Sequence, residues 1–204
     1  MASGPKVFPK PDPGDRLAAL AGRLADPAAP LPPARPAAAV AVLLTAAPES
    51  VLLIKRAEHS GDRWSGQLAF PGGRAAPEDP DLLATARRET AEEVGIALEA
   101  GRLLGALPDL APRTPVLPPI VVRPFVFLLP ARPVPAVNHE VAAAWWLPLD
   151  TFRAPGIYRP AESRRYGTLV RTPGYHLEMG LLWGMSERIL TPLLALIAPP
   201  PPSA

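Results

Sequence analysis

The sequence predicts an α/β or α+β sandwich. Short runs rich in leucine and β-branched residues stand on both sides of one well-delimited helix. A second apolar helix follows the last run, and 48% of the 204 residues are apolar, enough to bury a sizeable core.

The elements follow in order. Residues 1–13 carry the Pro/Lys character of an arm. Asp15 is placed to cap a short helix running through Ala25, with Leu17, Leu20, Ala21 and Leu24 on one stripe. The Pro/Ala-rich stretch 27–37 predicts a stiff linker, so residues 1–37 are assigned to an N-terminal extension. Ala38–Thr45 and Val51–Lys55 are strands joined by a turn at Ala47-Pro48-Glu49-Ser50. A long loop, Arg56–Gln67, leads to Leu68-Ala69-Phe70-Pro71-Gly72-Gly73. The helix is expected over Pro80–Val94, stopped by Gly95. Further strands are expected at Arg102–Ala106, Ile120–Leu129 and Ala143–Leu147, where Trp145-Trp146 is expected in the core. A last helix is expected over Leu181–Leu196, kinked at Pro192. The tail 198–204 is Pro-rich.

Composition excludes several classes. Net charge is +2, from 21 basic and 19 acidic residues, and no Lys/Arg run marks a nucleic-acid binder. The absence of cysteine excludes disulfides and thiolate metal sites and agrees with a reducing cytoplasm. The apolar runs are too short to span a bilayer, and the N-terminus lacks the apolar stretch of a secretory signal. The expectation is a cytoplasmic protein whose partner is neither nucleic acid nor membrane. Oligomeric state stays open, a homodimer among the options.

The chemistry concentrates on the central helix. Glu89, Glu92 and Glu93 occupy positions i, i+3 and i+4, so their carboxylates share one face. Three neighbouring anions repel and, near a helix C-terminus, oppose the macrodipole. A divalent cation relieves both, and Mg²⁺ takes carboxylate oxygens together with substrate phosphate. Leu83, Ala84, Ala91 and Val94 are expected on the opposite, packing face. Arg88 precedes Glu92 by four residues and is placed to hold it. Upstream, Gly72-Gly73 lets the backbone approach a phosphate or metal closely. The alternative, a solvated acidic helix end, does not use the glycine pair. His59, His139 and His176 are too scattered for a histidine metal cluster.

These residues resemble the Nudix box: Gly, five residues, Glu, seven residues, Arg-Glu, an apolar residue, any residue, Glu-Glu, any residue, Gly, an apolar residue. Gly73, Arg88-Glu89, Glu92-Glu93, Gly95 and Ile96 stand in that order. The resemblance covers residues 38–197 and implies an α/β/α sandwich with a mixed sheet and a central catalytic helix. It further implies Mg²⁺, or Mn²⁺, held mainly by Glu89 and Glu93, with Glu92 assisting and the Gly72 carbonyl nearby. Two departures stand out. Thr90 occupies the apolar position, and fourteen residues separate Gly73 from Arg88 where the family pattern has thirteen. Glu78, Asp79 and Asp81 therefore compete for the place of the first box glutamate; Asp79 has the right distance from Gly73.

The preceding segment is similar to the signature of coenzyme A-cleaving Nudix enzymes. Leu52-Leu53-Ile54-Lys55-Arg56-Ala57 looks like its first half, and Gly66 to Gly73 like its second. Between them eight residues replace seven, and the expected Arg is missing, Arg63 being nearest. The implied reaction is water attack on the diphosphate of coenzyme A, giving 4′-phosphopantetheine and adenosine 3′,5′-bisphosphate. ADP-ribose, dinucleoside polyphosphates and oxidised nucleoside triphosphates are the alternative substrates. Arg56 and Arg63 are candidates to meet phosphate, and Trp64 to stack on adenine, with a buried loop anchor as the equal alternative for Trp64. Arg113 and Thr114 are lesser candidates. Glu140, just ahead of a strand, is a candidate general base or further metal ligand, with His139 as a competing base. A non-catalytic nucleotide-binding module is disfavoured, because Glu89, Glu92 and Glu93 are all present.

Overall fold

The computed structural model describes residues 13–30, 36–59, 64–112, 119–165 and 168–197. Its centre is strand β1 (Ala37–Ala46), which folds back through a tight turn at Ala47-Pro48 into β2 (Glu49–Arg56). Two short strands follow, β3 (Leu68–Ala69) and β4 (Gly72–Arg74), and then helix α1 (Leu82–Val94). Strands β5 (Arg102–Ala106), β6 (Val121–Leu129) and β7 (Val141–Pro148) complete a seven-stranded sheet. β6 runs parallel to β1 from Ala37↔Val121 to Thr45↔Leu129, and the other pairings are antiparallel, so the sheet is mixed as expected.

Period-two alternation sorts the sheet's side chains into two cores. Ala39, Ala41 and Leu43 of β1 join Leu52 and Ile54 of β2 against Leu82, Ala86 and Val94 of α1. Val42, Leu44, Val51 and Leu53 point the other way, against Ile189, Leu190, Leu193 and Leu194 of the last helix, α2 (Gly184–Ile197). Leu17 and Leu20 of a short N-terminal helical segment enter this second core. Each fully buried Leu or Ile contributes on the order of 2 kcal/mol. Helices on both faces make the α/β/α sandwich.

Several expectations are corrected. The N-terminal helix is shorter than Asp15–Ala25: an α-helical turn, Pro13–Ala18, passes into a 3₁₀ turn, Ala19–Gly22. Asp15 lies inside the first turn rather than at the cap. Ala25 leaves the helix because it exchanges both backbone hydrogen bonds with Ala106, at 2.9 and 3.1 Å. The stretch expected as a linker is strapped down at its start. Buried Arg123 must satisfy its N–H groups, and it donates twice to Asp109 at 2.8 Å and again to the carbonyls of Ala29 and Pro27.

A three-stranded antiparallel sheet, β8 (Tyr158–Arg165), β9 (Thr168–Leu177) and β10 (Gly180–Trp183), lies where no strand was expected. Consequently α2 begins at Gly184, not Leu181, and runs unbroken through Pro192. Prolines 160 and 173 and charged Glu162 and Arg171 hide the alternation there. One face of this sheet is nonetheless anchored: Tyr175 is buried edge-on against Phe152, with ring centroids 5.4 Å apart.

Trp145 and Trp146 flank the core instead of filling it. β7 pairs only with β2 among the described residues, so the two rings lie on opposite faces of an edge strand, each partly buried. Trp146 Nε1 donates to the Pro133 carbonyl at 2.9 Å.

The catalytic-type helix also presents a different face. It starts at Leu82, capped by Asp81, whose carboxylate accepts the Ala84 N–H at 2.7 Å. Gly95 ends it in the left-handed conformation (φ 66°), as expected. The buried positions are Leu82, Thr85, Ala86, Thr90, Glu93 and Val94, whereas Ala91 is exposed. β4 lies against Glu89 and Glu93, so the acids themselves join the packed surface. Thr90 fits there because its hydroxyl donates to the Ala86 carbonyl at 2.7 Å.

Candidate active site

The site is built where β4 meets α1. Gly72 adopts φ 149°, a conformation side chains rarely take, and a Cβ there would strike the Ala39 carbonyl of β1. This tight seat lets the Gly72 N–H donate to Glu93 Oε2 at 2.8 Å. At Gly73 a Cβ would meet the Glu89 carboxylate at 2.5 Å. The two glycines thus bring bare backbone against two carboxylates of the helix.

Those carboxylates differ in environment. Glu93 is 2% exposed, and burial pushes its carboxyl up to about 7. The Gly72 N–H and the charge of Arg56 oppose that rise; Glu89 and Glu140 add to it. Glu89 is also raised, first by burial, with Arg88 opposing and the charges of Glu92 and Glu140 contributing. Glu92 is exposed and rests on Arg88, its Oε2 accepting from Nη1 at 3.1 Å.

Arg88 ties the arrangement together. Its Nη1 also meets Glu89 Oε1 at 2.9 Å. Its Nε and Nη2 grip both oxygens of Asp79 at 3.0 Å each, and Nη2 reaches the Arg74 carbonyl at 3.2 Å. Asp79 accepts in addition from the Ala76 N–H and the Thr85 hydroxyl, both at 2.9 Å. The Arg88 guanidinium, with these donors, holds the Asp79 carboxyl far below the usual carboxylate range. The competition among three acids is therefore resolved in geometry: Asp79 pairs with Arg88, Asp81 caps the helix and Glu78 is exposed. The register counted from Gly73 holds through Asp79, so the added residue falls between Asp79 and Arg88.

Glu140 reaches the same corner. The loop before β7 docks on the C-terminal end of α1: the Ala136 N–H donates to the Val94 carbonyl at 2.8 Å and the Asn138 N–H to the Glu93 carbonyl at 3.1 Å. Glu140 is half exposed, and its charge is felt by both Glu89 and Glu93. His139 is more exposed, with Nε2 4.0 Å from Glu140. Arg56 ends β2, close enough to Glu93 to stabilise its charge. Trp64 is 36% exposed, against its reading as a buried anchor. Arg63, Arg113 and Thr114 lie outside the described residues. Sequence reasoning missed Ala136 and Asn138; the available signal was the Asn-x-Glu spacing, which favours an Asx turn.

All donors here are oxygens, which suit a hard divalent cation. Two carboxylates with raised proton affinity and a neighbouring third acid leave local negative charge that such an ion would neutralise. The residues fit the ion in kind, although among the described residues no three acidic or histidine side chains form a ready cage. Arg88 stands between Glu89 and Glu92 instead.

Comparison with known proteins decides the family. The NUDIX domain family model matches residues 35–166. The chain belongs to the Nudix hydrolase family. A Nudix hydrolase named NudL from Yersinia pestis, described as uncharacterized, is 33% identical over 154 residues, covering 75% of each chain. Among solved structures, a MutT/nudix family protein from Enterococcus faecalis matches with TM-score 0.50 at 19% identity, over 90% of this chain and 73% of that one. An Ap4A hydrolase from C. elegans matches with TM-score 0.48 at 22% identity, over 56% and 81%. This Nudix hydrolase is a pyrophosphohydrolase of a family that acts on small nucleotide substrates. Among the described residues no helix is long and apolar enough to cross a membrane.

Proposed function

We propose that this Nudix hydrolase cleaves the diphosphate linkage of coenzyme A, releasing 4′-phosphopantetheine and adenosine 3′,5′-bisphosphate. One observation carries the substrate reading. The two halves of the coenzyme A-type signature pair as adjacent antiparallel strands, Ile54↔Ala69 and Lys55↔Leu68, and the Arg56 N–H donates to the Gln67 carbonyl at 3.0 Å. The extra residue between the halves therefore falls in the loop they enclose and leaves their pairing intact.

Glu89 and Glu93 would hold Mg²⁺ or Mn²⁺, with Glu92 assisting and the Gly72 backbone nearby. When bound, such an ion would supply charge neutralisation at the diphosphate and would lower the proton affinity of the attacking water. Arg56 orients a phosphate group by charge-assisted hydrogen bonding. Trp64 presents its exposed ring to the adenine. Glu140 accepts the proton from water as its oxygen attacks phosphorus and the bridging P–O bond breaks. Arg88 keeps Glu89 and Glu92 on one side of the helix, itself oriented by Asp79.

The test is a panel of coenzyme A, ADP-ribose, Ap4A and 8-oxo-dGTP with Mg²⁺ or Mn²⁺, the products separated by chromatography. The expected result is fastest turnover of coenzyme A into the two named products. Brisk hydrolysis of another compound with none of coenzyme A overturns the substrate and leaves the family.

A further inference from the structure

The loop that brings Glu140 to the site turns on one residue. Asn138 is bonded to both sides of the active-site corner. Its backbone N–H donates to the Glu93 carbonyl at 3.1 Å, and its side-chain Oδ1 accepts the Glu140 N–H at 2.9 Å. Its carbonyl also accepts the Val141 N–H at 3.3 Å, where β7 begins.

The neighbouring contacts explain why this matters. The last carbonyls of a helix have no partner within it, and here Ala136 and Asn138 supply the N–H groups for Val94 and Glu93. The loop is thereby fixed to the helix that carries Glu89 and Glu93. On its far side the Glu140 carbonyl accepts the Ala57 N–H at 2.8 Å, next to Arg56. Asn138 is thus the short link between the Glu93 main chain and the Glu140 main chain, and its amide oxygen closes an Asx turn that fixes the Glu140 backbone. Side chains held this way act in a defined place, and small misplacements of a catalytic group cost large factors in rate.

We infer that Asn138 is a positioning residue: its side chain sets the place of Glu140 relative to Glu93. This rests on the reading of Glu140 as the base. Asn138→Ala keeps the backbone bond to Glu93 and removes only the Asx turn. It should lower kcat about tenfold and leave KM unchanged, because the side chain is assigned no contact with substrate.

The experiment uses the full chain with Mg²⁺, assayed on coenzyme A and in parallel on ADP-ribose. Wild type, Asn138→Ala, Glu140→Gln and the double variant are compared, with amide hydrogen exchange measured across 136–141 and α1. The expected pattern has four parts. Asn138→Ala loses kcat at constant KM. Glu140→Gln loses more. The double variant is no slower than Glu140→Gln. The Glu140 amide exchanges faster in Asn138→Ala while α1 amides do not. Wild-type kcat in Asn138→Ala beside an impaired Glu140→Gln overturns the inference alone, as does a loss that multiplies in the double variant. Wild-type kcat in Glu140→Gln overturns the base reading first and removes the purpose given to Asn138. If neither compound is hydrolysed, unchanged Glu140 exchange in Asn138→Ala overturns the positioning, and faster exchange supports it.

Discussion

Asp79 and Arg88 face each other at the entrance to α1, the carboxylate gripping the guanidinium at both oxygens, 3.0 Å on each side. This fork fixes the direction of Arg88, whose remaining nitrogen divides between Glu89 and Glu92. An acid in the loop ahead of the helix thereby controls the acids near the helix end.

Asp79→Ala removes the fork and leaves Arg88 to the glutamates alone. Charge-assisted hydrogen bonds of this kind each carry about 1.5–3 kcal/mol. The expected loss is about 2–3 kcal/mol in urea unfolding, with a fall in kcat as Arg88 neutralises Glu89. Unchanged stability and unchanged kcat would together remove the fork from the site's architecture.

Stability should depend on pH in opposite senses at two residues. Asp79 is held far down in the fold, so its stabilisation is present above the ordinary carboxylate value near 3.8 and is lost as pH falls below it. Glu93 is raised from 4.5 to about 7, so its stabilisation is present below the unfolded value and lost as pH rises through about 7. The difference for Glu93 corresponds to about 3 kcal/mol. In EDTA, the wild-type protein should lose stability between pH 5 and pH 8. Glu93→Gln, which keeps an oxygen for the Gly72 N–H, should lose less. Chemical unfolding at both pH values gives the comparison; equal losses in the two proteins would contradict the assignment.

Much of this was legible beforehand, and the gaps have physical causes. β1, β2, β5 and β6 are buried on both faces, so continuous apolar runs announce them. The helix announces itself by Gly95 and its period, while its cap at Asp81 shows only in the structure. The sheet from β8 to β10 was hidden because Pro160, Pro173 and exposed charges interrupt its alternation. Glu89, Glu92 and Glu93 were legible because three acids on one helix face need a reason. Asp79 could not be chosen over Glu78 and Asp81 by counting, since one added residue satisfies either end of the motif; the choice belongs to the Arg88 contact. The burial of Glu93 was invisible because β4, distant by some twenty residues in sequence, covers it.

Gly73→Ala would push a methyl group into the Glu89 carboxylate, 2.5 Å from the added carbon. Glu89 must turn away, and activity should fall by about 10²-fold, on the scale of misplaced catalytic groups. The thermal midpoint should move by only a few degrees, because Glu89 is only partly buried. Full activity in a folded Gly73→Ala protein would detach Glu89 from the site.

Trp64→Ala tests the stacking surface. Loss of one base–aromatic stack is worth about 1–3 kcal/mol, so KM for an adenine-containing substrate should rise roughly tenfold with kcat little changed. The Michaelis parameters check it; an unchanged KM would return Trp64 to a purely structural role.

The most direct test compares wild type, Glu89→Gln and Glu93→Gln on the fastest substrate of the panel with saturating Mg²⁺. Turnover should fall by about 10²–10⁴ in each variant, equivalent to about 3–5 kcal/mol at the barrier, and EDTA should abolish the wild-type activity. Near wild-type turnover in both variants would contradict a metal-dependent site built on these two glutamates.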